Sequence, residues 1–346
     1  MSYWLLLLLL PPLLGFLFWR MKKIPHGYVQ WRTGAALKVM PSLDDFPPVK
    51  MRNILEKMVD KRLPSIRRSL PVNEIKDFNI PTRHGEIPAR FYNHNADPSL
   101  PIIVLMHGGG FCLGSFNVYE ELTRRLARVT GHALISLEYS LAPEFKFPQG
   151  HEECEDATLW VAENASTFGI HSKQVIPLGD SAGGNLALAT YFALRKKGKE
   201  EIVNSIVAVY PAVGGSDENT PSVRDYGKGY ILTKGAMENF TSSLIRTKED
   251  LVDPRLAIHL ESDVSNFPPL FVLTAEFDPL RDESEGFAAR VKADGNEVHT
   301  KRYKGTVHSF FGLKLMGSQG VTAIDDIGVW LSKVSKRSSQ ETLTHA

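Results

Sequence analysis

Ser181 stands in Gly179-Asp180-Ser181-Ala182-Gly183, between the apolar run 175–178 and a segment of helical composition that opens at Ala182. Glycines two before and two after a serine mark a turn too tight for side chains on its flanks. Where a strand meets a helix, such a turn presents the hydroxyl at its apex. Backbone N–H groups at the helix start then face any negative charge that develops there. The chemistry this suits is nucleophilic attack. It requires a base, a carboxylate to orient the base, and donors for the oxyanion.

Each requirement has a candidate. His107-Gly108-Gly109-Gly110 ends the apolar run 101–106. A glycine loop at a strand end can cradle phosphate, but no Gly-Lys-Ser/Thr follows it, which argues against a nucleotide. It reads instead as an oxyanion loop whose amides face a tetrahedral oxygen from one side, with the Ala182 amide opposite. His107 reads as a loop-ordering residue. In this arrangement the chain order is serine, carboxylate, histidine. Asp278, in Phe277-Asp278-Pro279-Leu280-Arg281-Asp282, and His308, in Val307-His308-Ser309, each follow a segment of strand character. Taken singly, Asp278 reads as a helix cap, with Asp282 a rival carboxylate, and His308 as structural. Behind an elbow and a glycine loop, in the right order, the catalytic reading wins.

The elements that must position them alternate. Strands are expected at 74–80, 85–92, 101–107, 132–139, 174–179, 205–211, 268–276 and 297–303. Helices are expected at 118–130, 149–166, from 182, at 281–293 and at 319–334. That alternation implies a mostly parallel sheet covered on both faces. Residues 39–70 carry apolar positions at helical spacing, and residues 212–265 interrupt the rhythm with a helix near 234–245. Residues 337–346 are expected to lack fixed structure.

Composition narrows the function. Of 346 residues 23% are charged and the net charge is +1, so nothing favours nucleic acid as a partner. Two cysteines, Cys112 and Cys154, make neither a disulfide framework nor a zinc pattern, and both read as buried thiols. Residues 3–19 are uncharged and followed by Arg20, Lys22 and Lys23. Without a basic residue before the apolar run or a small-x-small cleavage site after it, this reads as an uncleaved membrane anchor over residues 1–23. The Pro11-Pro12 pair weakens a straight spanning helix. The basic cluster after the anchor would leave the body in the cytosol, the sequons at Asn164 and Asn239 point the other way with almost no weight as acceptor signals, and the orientation stays open.

Together HGGGF, EYSLAPEFKFP, GDSAGGN, AEFDPLRDE and VHSF resemble the hormone-sensitive lipase family of α/β-hydrolases, over residues 75–335. That family includes carboxylesterases and membrane-anchored arylacetamide deacetylases. The resemblance implies an α/β-hydrolase domain at 74–336, capped by helices from 24–73 and from the insertion 212–265. It implies Ser181 as nucleophile, His308 as general acid/base and Asp278 as its partner. Gly109, Gly110 and Ala182 are implied as oxyanion donors, with Gly108 shaping the loop. No cofactor or metal is implied. The substrate is a hydrophobic small-molecule or lipid ester, with aryl amides also open, and the anchored branch implies the endoplasmic reticulum. Two residues depart from the family pattern: Ser140, where arginine is usual, and Ser309, where glycine often follows the histidine. The gibberellin receptors, binding proteins on this fold, lack the histidine that is in register here.

Overall fold

The computed structural model describes residue 44 and residues 46–214, 220–312 and 318–344. Two helices come first, α1 (Pro48–Asp60) and α2 (Leu63–Ser69). The hairpin of β1 (Glu74–Thr82) and β2 (Gly85–Asn93) follows. Then come β3 (Ile102–Met106), α3 (Phe116–Thr130), β4 (Leu134–Leu137), α4 (Gln149–Asn164), β5 (Val175–Asp180), α5 (Ala182–Lys196) and β6 (Ile206–Val209). After α6 (Pro221–Tyr226) and α7 (Lys234–Leu244), the alternation resumes with β7 (Leu270–Phe277), α8 (Arg281–Ala293), β8 (Val298–Val307) and α9 (Gln319–Thr344).

The strands form one eight-stranded sheet in the order β1-β2-β4-β3-β5-β6-β7-β8. β2 pairs antiparallel with β1 and β4, and the remaining pairs are parallel. Parallel strands need crossover helices on both faces, which explains why β3 reads as an unbroken apolar run. Ile102, Val104 and Met106 point into the core under α4, α5 and α8. Ile103 and Leu105 point into the core under α3 and α9. Local signals set the helix ends. Ser115 caps α3 by accepting from the Val118 amide at 3.2 Å, and Gly131, at φ +72, stops it.

A third apolar cluster joins the two segments that lie outside this alternation. Met51 of α1 shares this cluster with Leu232, Ala236, Phe240 and Leu244, and with Cys112 and Leu113. The Asn239 amide donates to the Phe46 carbonyl at 3.0 Å, and Thr233 is hydrogen-bonded to Asp44. Helices α1 and α7, one from each segment, therefore meet over the loop that follows β3.

Three sequence expectations change. β8 runs to Val307 rather than ending near residue 303. The register shifts between Ala275 and Phe277, and Gly305, at φ +74, lets the strand resume and pair Val307 with Phe277. α9 continues to Thr344, through most of the segment expected to be unstructured. The membrane anchor is corrected, and with it the membrane partner and the endoplasmic-reticulum location. Among the described residues no helix is long and apolar enough to cross a membrane. Even α9, 26 residues long, carries Asp325, Asp326, Lys333 and Lys336. Residues 3–19 lie outside the described residues.

Candidate active site

The parallel strands all end at one edge, and the loops after β3, β5, β7 and β8 converge there. Ser181 follows β5 directly and caps α5, with its backbone at φ +56 and ψ −119. A non-glycine residue is held in this strained region only where its surroundings enforce it. The Ser181 amide donates to the Val209 carbonyl at 2.8 Å, and its carbonyl accepts from Asn185 at 3.1 Å and Ala212 at 3.2 Å. The glycines have a steric cause. A Cβ on Gly179 would overlap the Gly183 backbone, and one on Gly183 would overlap the Met106 carbonyl. The strand and helix approach too closely for any side chain.

His308 sits at the end of β8, 4% exposed, with its Nε2 2.9 Å from the Ser181 hydroxyl. Its Nδ1 lies 2.7 Å from Oδ2 of Asp278, which is fully buried at the end of β7. The other carboxylate oxygen of Asp278 accepts from the Leu280 amide at 2.9 Å, and this fixes the carboxylate plane. The ring of Tyr210 packs on the imidazole with centroids 4.7 Å apart. Asp282, the rival carboxylate, accepts from the Ser222 amide at 2.8 Å and pairs with Arg281. Hydrogen bonds thus join Ser181, His308 and Asp278, and Asp282 is engaged elsewhere.

The glycine loop begins against the elbow, where a Cβ on Gly108 would come within 2.6 Å of the Asp180 carbonyl. Gly109, Gly110 and Phe111 have φ of +122, +60 and +61, so the chain doubles back sharply, and Cys112 and Leu113 both donate to the Gly109 carbonyl. Among the described residues the amides of Gly109, Gly110 and Ala182 donate to no protein acceptor. The Gly108 amide is different. It donates to Tyr119 Oη at 2.8 Å and to Asp180 Oδ1 at 3.0 Å, so it cannot serve an oxyanion. His107 is fully buried, and its ring stacks on Tyr139 at 4.4 Å. Burial holds its imidazole down at about 4, so it stays neutral and acts in packing. Ser140, at the position where arginine is usual, hydrogen-bonds the Glu153 carboxylate through both its amide and hydroxyl at 2.7 Å.

Two groups here carry no distinctive sequence signal. Asp180 accepts from Gly108, from Tyr119 and, at 3.2 Å, from Tyr210, so it ties the glycine loop to the elbow. Burial raises its carboxyl above the ordinary range although these donors oppose the shift. Glu283 on α8 accepts from the Val213 amide at 2.9 Å and from Gly214, at the mouth of the insertion. Burial pushes its carboxyl up to about 8, with the same amides opposing and Asp278 adding like charge. Cys112 lies inside the loop, and burial pushes its thiol up to about 12, which makes it unreactive.

With this geometry in hand, comparison with known proteins is decisive for the family. Residues 103–312 match a family model described as alpha/beta hydrolase fold. The chain belongs to the alpha/beta hydrolase fold family. Among curated members, an arylesterase of Saccharolobus solfataricus is 32% identical over 78% of this chain and 87% of its own. An ethyl acetate hydrolase of Pseudomonas putida is 33% identical over 68% of this chain and 75% of its own. Among solved structures, the Pyrobaculum calidifontis esterase superposes with TM-score 0.81 at 35% identity, covering 87% of this alpha/beta hydrolase and 97% of the esterase. A fungal esterase from Rhizomucor miehei reaches TM-score 0.85 at 29% identity, over 92% and 100% of the two chains.

Proposed function

We propose that this protein is a carboxylic ester hydrolase of the hormone-sensitive lipase type, working through an acyl-enzyme. Ser181 attacks the ester carbonyl while His308 Nε2 takes its proton. Asp278 holds the imidazole in the tautomer that leaves Nε2 free to accept, and stabilises the imidazolium. The amides of Gly109, Gly110 and Ala182 receive the oxyanion. His308 returns the proton to the departing alcohol, and water then releases the acid by the same steps in reverse roles.

The observation that carries this reading is the continuous chain Ser181–His308–Asp278, at 2.9 and 2.7 Å, ending on a locked carboxylate. The relatives named above supply the substrate class. Ethyl acetate and acetyl esters, from which relatives take their names, are the first compounds to try. Residues 46–69 and 212–265 act together as a cap, and their shared cluster around Phe240 supports this. A receptor that binds without turnover is less well supported, because His308 is hydrogen-bonded to both partners.

The test uses the full chain with p-nitrophenyl esters of increasing acyl length, beside Ser181→Ala. Removing the nucleophile is expected to lower kcat on the order of 10⁶-fold. A folded wild type as inert as Ser181→Ala would overturn the hydrolase reading in favour of the receptor.

A further inference from the structure

The glycine loop has a holding problem. Its residues 109–111 all have positive φ, and one of them is Phe111, which strains there without help. Tyr119 of α3 and Asp180 hold the Gly108 amide, but these bonds fix only the start of the loop. Yet an oxyanion hole works only if its donors are already aimed, about 2.7–3.1 Å from where the oxygen will be.

One side chain from a distant part of the sequence meets this need. Arg52 of α1 donates from Nε to the Cys112 carbonyl at 3.0 Å and from Nη2 to the Ala142 carbonyl at 2.9 Å. Its two terminal nitrogens also grip both oxygens of Glu144, at 3.1 and 3.0 Å. The Ala142 amide in turn donates to the Phe111 carbonyl at 2.9 Å. One planar guanidinium thus staples the glycine loop to the loop after β4, at Cys112, two residues past Gly110. Next to it, Met51 is buried in the same apolar cluster as Cys112 and Leu113. Arg52 is only about one-fifth exposed, so its bonds to these carbonyls are shielded from water.

We infer that Arg52 is a positioning residue for the oxyanion loop, so that the N-terminal helix belongs to the catalytic machinery and not only to the cover over it. The inference rests on the hydrolase reading above. Arg52 touches no reacting atom. It acts by keeping the Gly109 and Gly110 amides aimed. Lysine cannot replace it, because a single ammonium on a flexible stem cannot bridge two carbonyls and a carboxylate in one plane.

Full-length Arg52→Lys and Arg52→Gln are compared with wild type on p-nitrophenyl acetate, together with thermal melting. The expected result is a loss in kcat on the order of 10- to 100-fold with KM little changed, since both acylation and deacylation use the same donors. Arg62→Gln, which removes an exposed pair with Glu121 at 3.7 Å near the end of the same segment, leaves kcat unchanged. Ethylguanidinium added to Arg52→Ala restores part of the lost rate, which a merely structural loss would not allow. Amide hydrogen exchange at residues 109–113 quickens in Arg52→Gln and gives a reading independent of turnover. Should Arg52→Gln fail to fold, Arg52→Lys and its exchange rates decide. A kcat within twofold of wild type and unchanged exchange in the folded variants would overturn the inference. An inert wild type with quickened exchange in the variants would keep the staple and remove the hydrolase reading instead.

Discussion

Asp278→Asn tests whether the carboxylate works by setting the histidine tautomer. Asn is nearly isosteric with Asp, and the site is fully buried, so packing is retained. The Leu280 amide donates to Oδ1 at 2.9 Å and requires an oxygen there. The substituted amide must therefore turn its oxygen to Leu280 and its NH₂ toward His308 Nδ1, 2.7 Å away in the wild type. A donor facing Nδ1 forces the proton onto Nε2. That nitrogen then points a hydrogen at the Ser181 hydroxyl and cannot accept its proton. The expected loss is on the order of 10⁴-fold in kcat, or about 5.5 kcal/mol of barrier. KM and the melting temperature change little. Steady-state kinetics on p-nitrophenyl acetate near pH 7.5 measure it, with Asp282→Asn alongside as the rival carboxylate. A loss below tenfold in Asp278→Asn, or an equal loss in Asp282→Asn, would refute the tautomer argument.

Two further expectations concern stability. Gly183→Ala places a methyl group over the Met106 carbonyl and 2.7 Å from that of His107, both backbone, so little or no folded protein is expected from expression and melting. Gly286→Ala in α8 meets nothing within 4 Å and should stabilise by about 1 kcal/mol; a similar fate for both variants would contradict the steric account. Glu283→Gln should change the pH dependence of stability. Burial raises the carboxyl from its ordinary 4.5 to about 8, so the stability it contributes is complete below about 4.5 and lost as pH rises through about 8. Glutamine keeps an oxygen for the Val213 amide and does not ionise. The variant should match wild type at pH 4, melt progressively higher than wild type up to pH 8, and hold that margin above; a margin independent of pH would count against it.

Much of the fold was legible because its causes are local. The unbroken apolar run of β3 reports burial on two faces, and the spacing of Gly179 and Gly183 reports a close approach of strand and helix. The α8 bounds, 281–293, were read as they stand. The errors have physical origins too. Lys304-Gly305 looks like the end of a strand, but Gly305 donates to the Glu276 carboxylate at 2.6 Å and β8 continues past it to deliver His308. An apolar stretch at residues 3–19 suggested a membrane span, which no helix among the described residues has the length and apolarity to make.

The sequence by itself determined the alternation of strand and helix, the glycines at the two tight turns, and the order serine, aspartate, histidine. Each depends on neighbours a few residues away. Only the tertiary structure decided which groups meet. Parallel pairing of β5, β6, β7 and β8 brings residues 181, 278 and 308 to one edge. The same packing fills the Gly108 amide with Asp180 and Tyr119, while among the described residues the amides of Gly109 and Gly110 donate to no protein acceptor. It also carries Arg52 across sixty residues to the Cys112 carbonyl. No pattern of neighbours encodes these meetings, because they arise from hydrogen bonds and burial between segments far apart in the chain.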